Sequence, residues 1–280
     1  MKIFFFLFIS PLFLCSQNSF ETGKNAFEAG EHLKAVSVLK AVLKDKPSDK
    51  MVRDYLGQAY ASLERWEESA EVNESLVEDF PKNAEYHFRY GGALGLVAKN
   101  SNPFKAVSLI GDVKFHLKKA IELDLKHVNS RWALLQMYLE LPGIIGGSES
   151  TSRKYASELK SISPVDGALA FGYIERELKN YDKAEVHYRQ AVELGQSEMT
   201  YKELAELYKR SDNKSAFFQT LELGIKKLNS IEMASVYVDR ALTLNQNERK
   251  ALKILNTLDL VGLNSEEKEK LNRLKSQLDY

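Results

Sequence analysis

A single cysteine, Cys15, stands in 280 residues, so no disulfide can form within the chain and thiol chemistry is confined to one position near the N-terminus. Stability has to come from packing. An excess of charge is missing too: 39 basic residues are matched by 39 acidic ones, and the two signs are interspersed. No long-range field concentrates such a chain on nucleic acid or anionic lipid, which argues against both as main partners. Prolines number only six, strand-like alternation of Val, Ile and Thr is lacking, and Ala, Leu, Glu and Lys dominate the body. These absences weigh against a sheet and leave an all-α chain. Nucleophile elbows, metalloprotease helices and phosphate loops are lacking as well, and the expectation is a non-catalytic protein without cofactor or metal.

The apolar run from Ile3 to Leu14 follows one positive charge at Lys2. It falls short of the roughly 20 residues that span a bilayer as a helix, and it suits the core of a secretory signal peptide at residues 1–16. Export to the periplasm or beyond is the expectation. Two processing routes stay open: cleavage after the small residue Ser16, or lipidation at Cys15 after Leu12-Phe13-Leu14, with Leu14 large where the lipoprotein pattern has a small residue. The second route would make an envelope lipoprotein, with the membrane touched only through that anchor.

The body is organised around Met51 to Asn83, a helical hairpin in which Leu56, Gly57, Tyr60, Trp66, Leu76 and Pro81 fall at helical spacing on both sides of a polar turn. Each helix has one apolar face, and neither buries it alone. Pro47 and Pro81 state the period directly, since 81 − 47 = 34. The spacing and residue types resemble the tetratricopeptide (TPR) repeat, with its Leu-Gly pair, later Tyr, aromatic after the turn and closing Pro. That resemblance implies a right-handed superhelical solenoid of stacked hairpins, serving as a binding scaffold for a protein or peptide.

Six to seven hairpins are expected over residues 17–262, with a polar capping helix over 263–280 that contains Leu271, Leu274 and Leu278. Two stretches depart from the period. After Val97 the short turn is replaced by residues 98–104, which add a longer second helix or a protruding loop. After Tyr138 it is replaced by residues 141–150, where Pro142 stops a helix, the glycines permit positive φ and Ser148 or Ser150 can cap the next helix. Ile144 and Ile145 lie between those glycines, either tucked onto the scaffold or offered to a partner. The PGIIGGS segment also resembles one in a group of exported bacterial TPR proteins, a likeness of about 40 residues that implies no chemistry.

Five histidines are scattered, and the nearest approach to a zinc site is Glu122, Asp124 and His127 around one helix end, a pattern more often solvated. Gly91, Gly92 and Gly95 read as close helix approach rather than a phosphate loop. Lys114, Lys118 and Lys119 read as a solvated face. In the TPR architecture a partner lies along the concave face, lined by the first helix of each hairpin. The alignment puts Asp54, Gln58, Arg89, Met137, Tyr173, Arg176, Lys202 and Lys209 there, with Ile144 and Ile145 as a second candidate element. TPR domains that clamp the C-terminal carboxylate of heat-shock chaperones place paired Lys and Asn on this surface; Asp54, Gln58 and Phe88 stand there instead, so that clamp is missing. A protein-interaction scaffold of the cell envelope is the leading expectation. The alternative is an enzyme, or an enzyme's accessory subunit, with a site in loops 98–104 and 141–150. Oligomeric state is left open.

Overall fold

The computed structural model describes the backbone of residues 11–278 and the side chains of 19–278. The expected signal peptide at 1–16 therefore lies outside the described residues, save for the backbone of 11–16. Fifteen α-helices and one 3-10 turn make up the described chain, with no strand among those residues. Contacts divide it into two compact units. The first runs to Leu134 and takes in Pro142–Ile145; the second holds Leu135–Leu141 and the chain from Gly146 onward.

In the first unit α1 (Pro11–Glu28), α2 (His32–Asp45), α3 (Lys50–Ser62), α4 (Trp66–Asp79), α5 (Ala84–Lys99) and α6 (Pro103–Leu123) pack in series, each on its neighbour, and α1 also meets α3. The unit boundary falls within α7 (Val128–Glu140). In the second unit α8 (Glu149–Ile162), α9 (Pro164–Glu177), α10 (Tyr181–Gly195), α11 (Glu198–Arg210), α12 (Lys214–Leu228), α13 (Ile231–Leu244) and α14 (Glu248–Thr257) follow in the same serial manner. There α9 also meets α11, and α15 (Ser265–Ser276) packs on both α13 and α14. Contact between alternate helices, as at α1–α3 and α9–α11, is what stacking of hairpins requires.

The repeat is written in small residues. Gly23, Gly57 and Gly91 follow one another at 57 − 23 = 34 and 91 − 57 = 34 residues, each on the first helix of a hairpin. A Cβ on each would meet the second helix, at 2.8 Å from Leu39, 3.1 Å from Asn73 and 3.1 Å from the His116 Cβ. The absent side chain sets the distance between paired helices. The turns that follow obey the same period. Gly30 and Glu64, 34 residues apart, both adopt left-handed backbone, at φ 76° and 57°. Lys179 and Asp212 do so in the second unit, at 62° and 54°. Beyond each of the four, the next N–H donates to the carbonyl five residues earlier: Glu31 to Ala26, Arg65 to Tyr60, Asn180 to Glu175 and Asn213 to Tyr208. This is the helix-ending geometry in which one left-handed residue redirects the chain.

The two irregular stretches resolve differently. After Val97, α5 ends at Lys99 and α6 starts four residues later and runs for 21. The Asn102 side chain accepts from the Phe104 and Lys105 N–H groups, and Pro103 takes the first position, where its missing donor costs nothing. The added length is helix. At 141–150, Gly143–Ile145 makes a single 3-10 turn, Gly146 turns left-handed at φ 93°, and the Ser148 hydroxyl caps α8 by accepting from the Thr151 N–H.

Candidate functional site

The first unit carries an open groove of about 370 Å³ across the first helices of its hairpins. Its floor is built from small residues, Gly57 and Ala61 of α3 with Gly92 and Ala93 of α5, which hold back no volume of their own. Three aromatic rings stand round it: Phe27 from α1, Trp66 at the start of α4 and Phe88 from α5. Helical spacing explains the α5 contribution, because Glu85, Phe88, Arg89, Gly92 and Leu96 recur at three and four residues and share one face. Behind that face, Ser69 donates from its hydroxyl to the Gly57 carbonyl at 3.0 Å and receives the Asn73 amide in turn, so the buried polar groups of α4 are satisfied.

One side of the groove is polar and linked across three elements. Arg89 forms an ion pair with Asp54 of α3 and donates from Nε to Glu85 Oε1 at 2.8 Å. Gln58 reaches only the Asp54 carbonyl and carboxylate of its own helix, at 3.4 and 3.5 Å, which leaves its amide weakly held. His127 accepts the Ser130 N–H on Nδ1, so Nε2 carries the proton and donates to Glu85 Oε2 at 3.4 Å, while its ring lies 5.2 Å from Phe88. The His127 imidazole, ahead of the Arg89 guanidinium, holds Glu85 below the usual carboxylate range against the opposing effect of burial. Each charge in the groove thus has a partner, and the aromatic walls are its distinctive feature.

Of the residues expected to meet a partner, the structure brings Asp54, Gln58 and Arg89 together here; Asp54 stands behind the pair that Gln58 and Arg89 present to the groove. Of the others, Met137, Tyr173, Arg176, Lys202 and Lys209 fall in the second unit, and Ile144 and Ile145 belong to the first but do not line the groove. Tyr173 donates its hydroxyl to Glu140 at 2.8 Å, and burial, then Glu140, push its phenol up. Arg176 is not an outward group: it is buried, its guanidinium 5.2 Å from the Tyr173 ring and 5.7 Å from that of Tyr188, with Nη1 donating to Glu203 at 2.7 Å. Packing is its role. Lys202 and Lys209 pair with Glu198 and Glu206 on their own helix, and Met137 is half-buried. Ile144 is 94 % exposed whereas Ile145 is half-buried, so the two isoleucines of the loop part company.

Sequence reasoning passed over Phe27, Glu85 and Gly92 as groove residues. The available signal was the recurrence on α5 of Glu85, Phe88, Arg89 and Gly92 around the repeat glycine Gly91. Glu122, Asp124 and His127 do not converge: Glu122 pairs with Lys119, Asp124 accepts from the Lys126 N–H, and His127 turns to Glu85. A second groove, of about 450 Å³, lies in the second unit between α10 and α12 with Tyr201 and Leu204 of α11 below. Arg189, Glu193 and Lys227 line its edge. Neither groove is lined by residues of 98–104 or 141–150. Among the described residues no helix is long and apolar enough to cross a membrane.

No protein-family model matches the chain, and no curated protein matches its sequence. Solved structures do. A tetratricopeptide repeat protein from Parabacteroides merdae is similar over 93 % of this chain and 98 % of its own, at 13 % identity and a TM-score of 0.56. PilW, a type IV pilus biogenesis factor, is similar over 76 % of this chain and 93 % of its own, at 11 % identity and 0.55. Human IFIT1, solved as a dimer with m7Gppp-AAAA, is similar over 95 % of this chain and 55 % of its own, at 14 % identity and 0.57. Likeness at such identities speaks to architecture and not to ligand. The serial hairpins, the 34-residue glycine step and these neighbours together show that the chain has the tetratricopeptide-repeat fold.

Proposed function

We propose that this protein is a non-catalytic interaction scaffold of the cell envelope, and that the groove of its first unit holds an extended segment of a partner protein. The observation that carries this reading is the pairing of three aromatic walls with a small-residue floor beside a weakly held amide, Gln58. A groove of that kind takes up a bulky apolar side chain between rings, while Gln58 and Arg89 offer N–H groups to the carbonyls of the peptide backbone. The location rests on Lys2 and the apolar run Ile3 to Leu14, with lipidation at Cys15 as the alternative ending. PilW, of the same fold, serves type IV pilus biogenesis, so the architecture is compatible with work at an envelope assembly.

Two measurements test the proposal. Peptides selected from a random library against the full chain should bind with quenching of Trp66 fluorescence in a Trp132→Phe background. Phe88→Ala should then weaken binding about 30-fold, the ~2 kcal/mol of a buried aromatic anchor. Equal affinity in Phe88→Ala would remove the groove from consideration. Mass spectrometry of the mature N-terminus tests the location: a chain starting at Gln17, or a diacylated Cys15, supports it, and a retained Met1 opposes it.

A further inference from the structure

Behind the groove, on the opposite face of α5, two histidines meet that no feature of the groove uses. His87 of α5 and His116 of α6 approach with Nδ1 to Nδ1 at 2.9 Å, their ring centroids 5.1 Å apart and their planes within 25°. The rings are therefore edge to edge and nearly coplanar, with one hydrogen between the two nitrogens. His87 Nε2 lies 3.0 Å from the Pro81 carbonyl, which can only accept. That fixes both tautomers. His87 carries its proton on Nε2 and accepts on Nδ1, so His116 must carry its proton on Nδ1 and donate. His87 is buried, and the contact seals the closest approach of the two helices, where Gly91 leaves 3.1 Å to the His116 Cβ.

We infer that His87 and His116 form a two-step proton switch that fastens α6 to α5, surviving one added proton and opening on the second. The first proton enters at His116 Nε2, because both His87 nitrogens and His116 Nδ1 are already engaged. The Nδ1–H to Nδ1 bond is then kept and strengthened by charge. A second proton has only His87 Nδ1 to occupy, and there it sets N–H against N–H with two positive rings in contact. The hydrogen bond between α5 and α6 is lost, and the helices must part at that point.

The surroundings modulate the steps without removing them. Glu74 and Glu78 of α4 and Asp112 of α6 face the site, as does the Tyr90 hydroxyl of α5, which donates to Glu74 at 2.8 Å. Tyr90 packs its ring 4.6 Å from that of His116. Glu74 and Asp112 favour the charged His116, but burial, followed by the proximity of His87, outweighs them and holds its pKa below the ordinary histidine value.

The inference concerns the packing behind the groove and stands whether or not a peptide binds in front of it. Long-range nitrogen–proton spectra of the full chain, labelled with nitrogen-15 histidine, test it directly. At pH 7.5 His87 should appear as the Nε2–H form and His116 as the less common Nδ1–H form. On acidification the pair should titrate in two separated steps. Amide exchange across Ala84–Lys99, corrected for its intrinsic acid dependence, should rise about tenfold at the second step and stay unchanged at the first. His116→Gln, whose amide can turn either its NH2 or its oxygen toward His87 Nδ1, should leave one titrating ring in place of two and remove the acid-induced rise in amide exchange. The Nε2–H form of His116 at neutral pH, or two rings titrating alike near pH 6.5, would overturn the inference, as would an unaltered acid response in a folded His116→Gln variant.

Discussion

A carboxylate that is 4 % exposed has to be held by its neighbours, and Glu175 on α9 is held from both sides. Arg153 of α8 donates from Nη1 to Oε1 at 2.9 Å, and the Asn180 amide beyond the end of α9 donates to Oε2 at 2.9 Å. Burial alone would push its pKa up; Asn180 and then Arg153 overcome that and leave it below the ordinary carboxylate value. A carboxyl group with a depressed folded pKa adds stability above its unfolded pKa, about 4.3, and loses it as the pH falls toward the folded pKa. Glu175→Gln, which cannot titrate, should therefore cost about 1–3 kcal/mol at pH 7. The gap to the parent protein should close as the pH falls below the unfolded carboxyl's value of about 4.3. Denaturant melts across that fall in pH measure it, and a gap of constant size would show that the charge of Glu175 contributes nothing. Roles of this kind were hard to read from the chain. Arg176, one residue further on, looks like a groove residue by alignment, yet the turn of α9 sends it between Tyr173 and Tyr188. One residue of helical phase, about 100°, separates an outward guanidinium from a buried one.

At the scale of the element, the hairpin turns show how a repeat tolerates sequence that its backbone disfavours. Gly30 suits its left-handed position, but Glu64 and Lys179 occupy the same position with side chains, both exposed. A non-glycine residue there costs about 1–2 kcal/mol, partly offset because glycine gains more entropy in the unfolded chain. Glu64→Gly and Lys179→Gly should each stabilise the fold by about 0.5–1 kcal/mol, read as a rise in thermal midpoint. A fall in both would mean that these side chains hold the turns through contacts stronger than the strain. The helices themselves were legible: periodic apolar faces, the 34-residue prolines and the capping Ser148 all stand in the sequence. The length of α6 was not, because the Asn102 cap and Pro103 mark a helix start that reads equally well as a loop. The His87–His116 contact was hidden for the same reason. The partners are 29 residues apart, and their meeting depends on where α6 begins.

For the molecule as a whole, the balance of 39 against 39 charges makes a statement about how it recognises a partner. Within the groove each charge is likewise partnered: Arg89 pairs with Asp54 and Glu85 through Nη1 and Nε, and Glu85 also receives His127. Recognition then draws on aromatic burial and backbone hydrogen bonding, not on a field that reaches into solvent. Screening shortens electrostatic reach from about 10 Å at 0.1 M salt to about 3 Å at 1 M, so a charge-driven complex weakens steeply across that range. A complex of the kind proposed here should change its Kd by less than about threefold, because apolar burial strengthens slightly with salt while the few charged contacts weaken. Titration of a selected peptide by Trp66 fluorescence at 0.1, 0.3 and 1 M sodium chloride reads this directly. A loss of tenfold or more would assign the binding energy to the exposed lysines and arginines of the helix faces, and would move the site away from Phe27, Trp66 and Phe88.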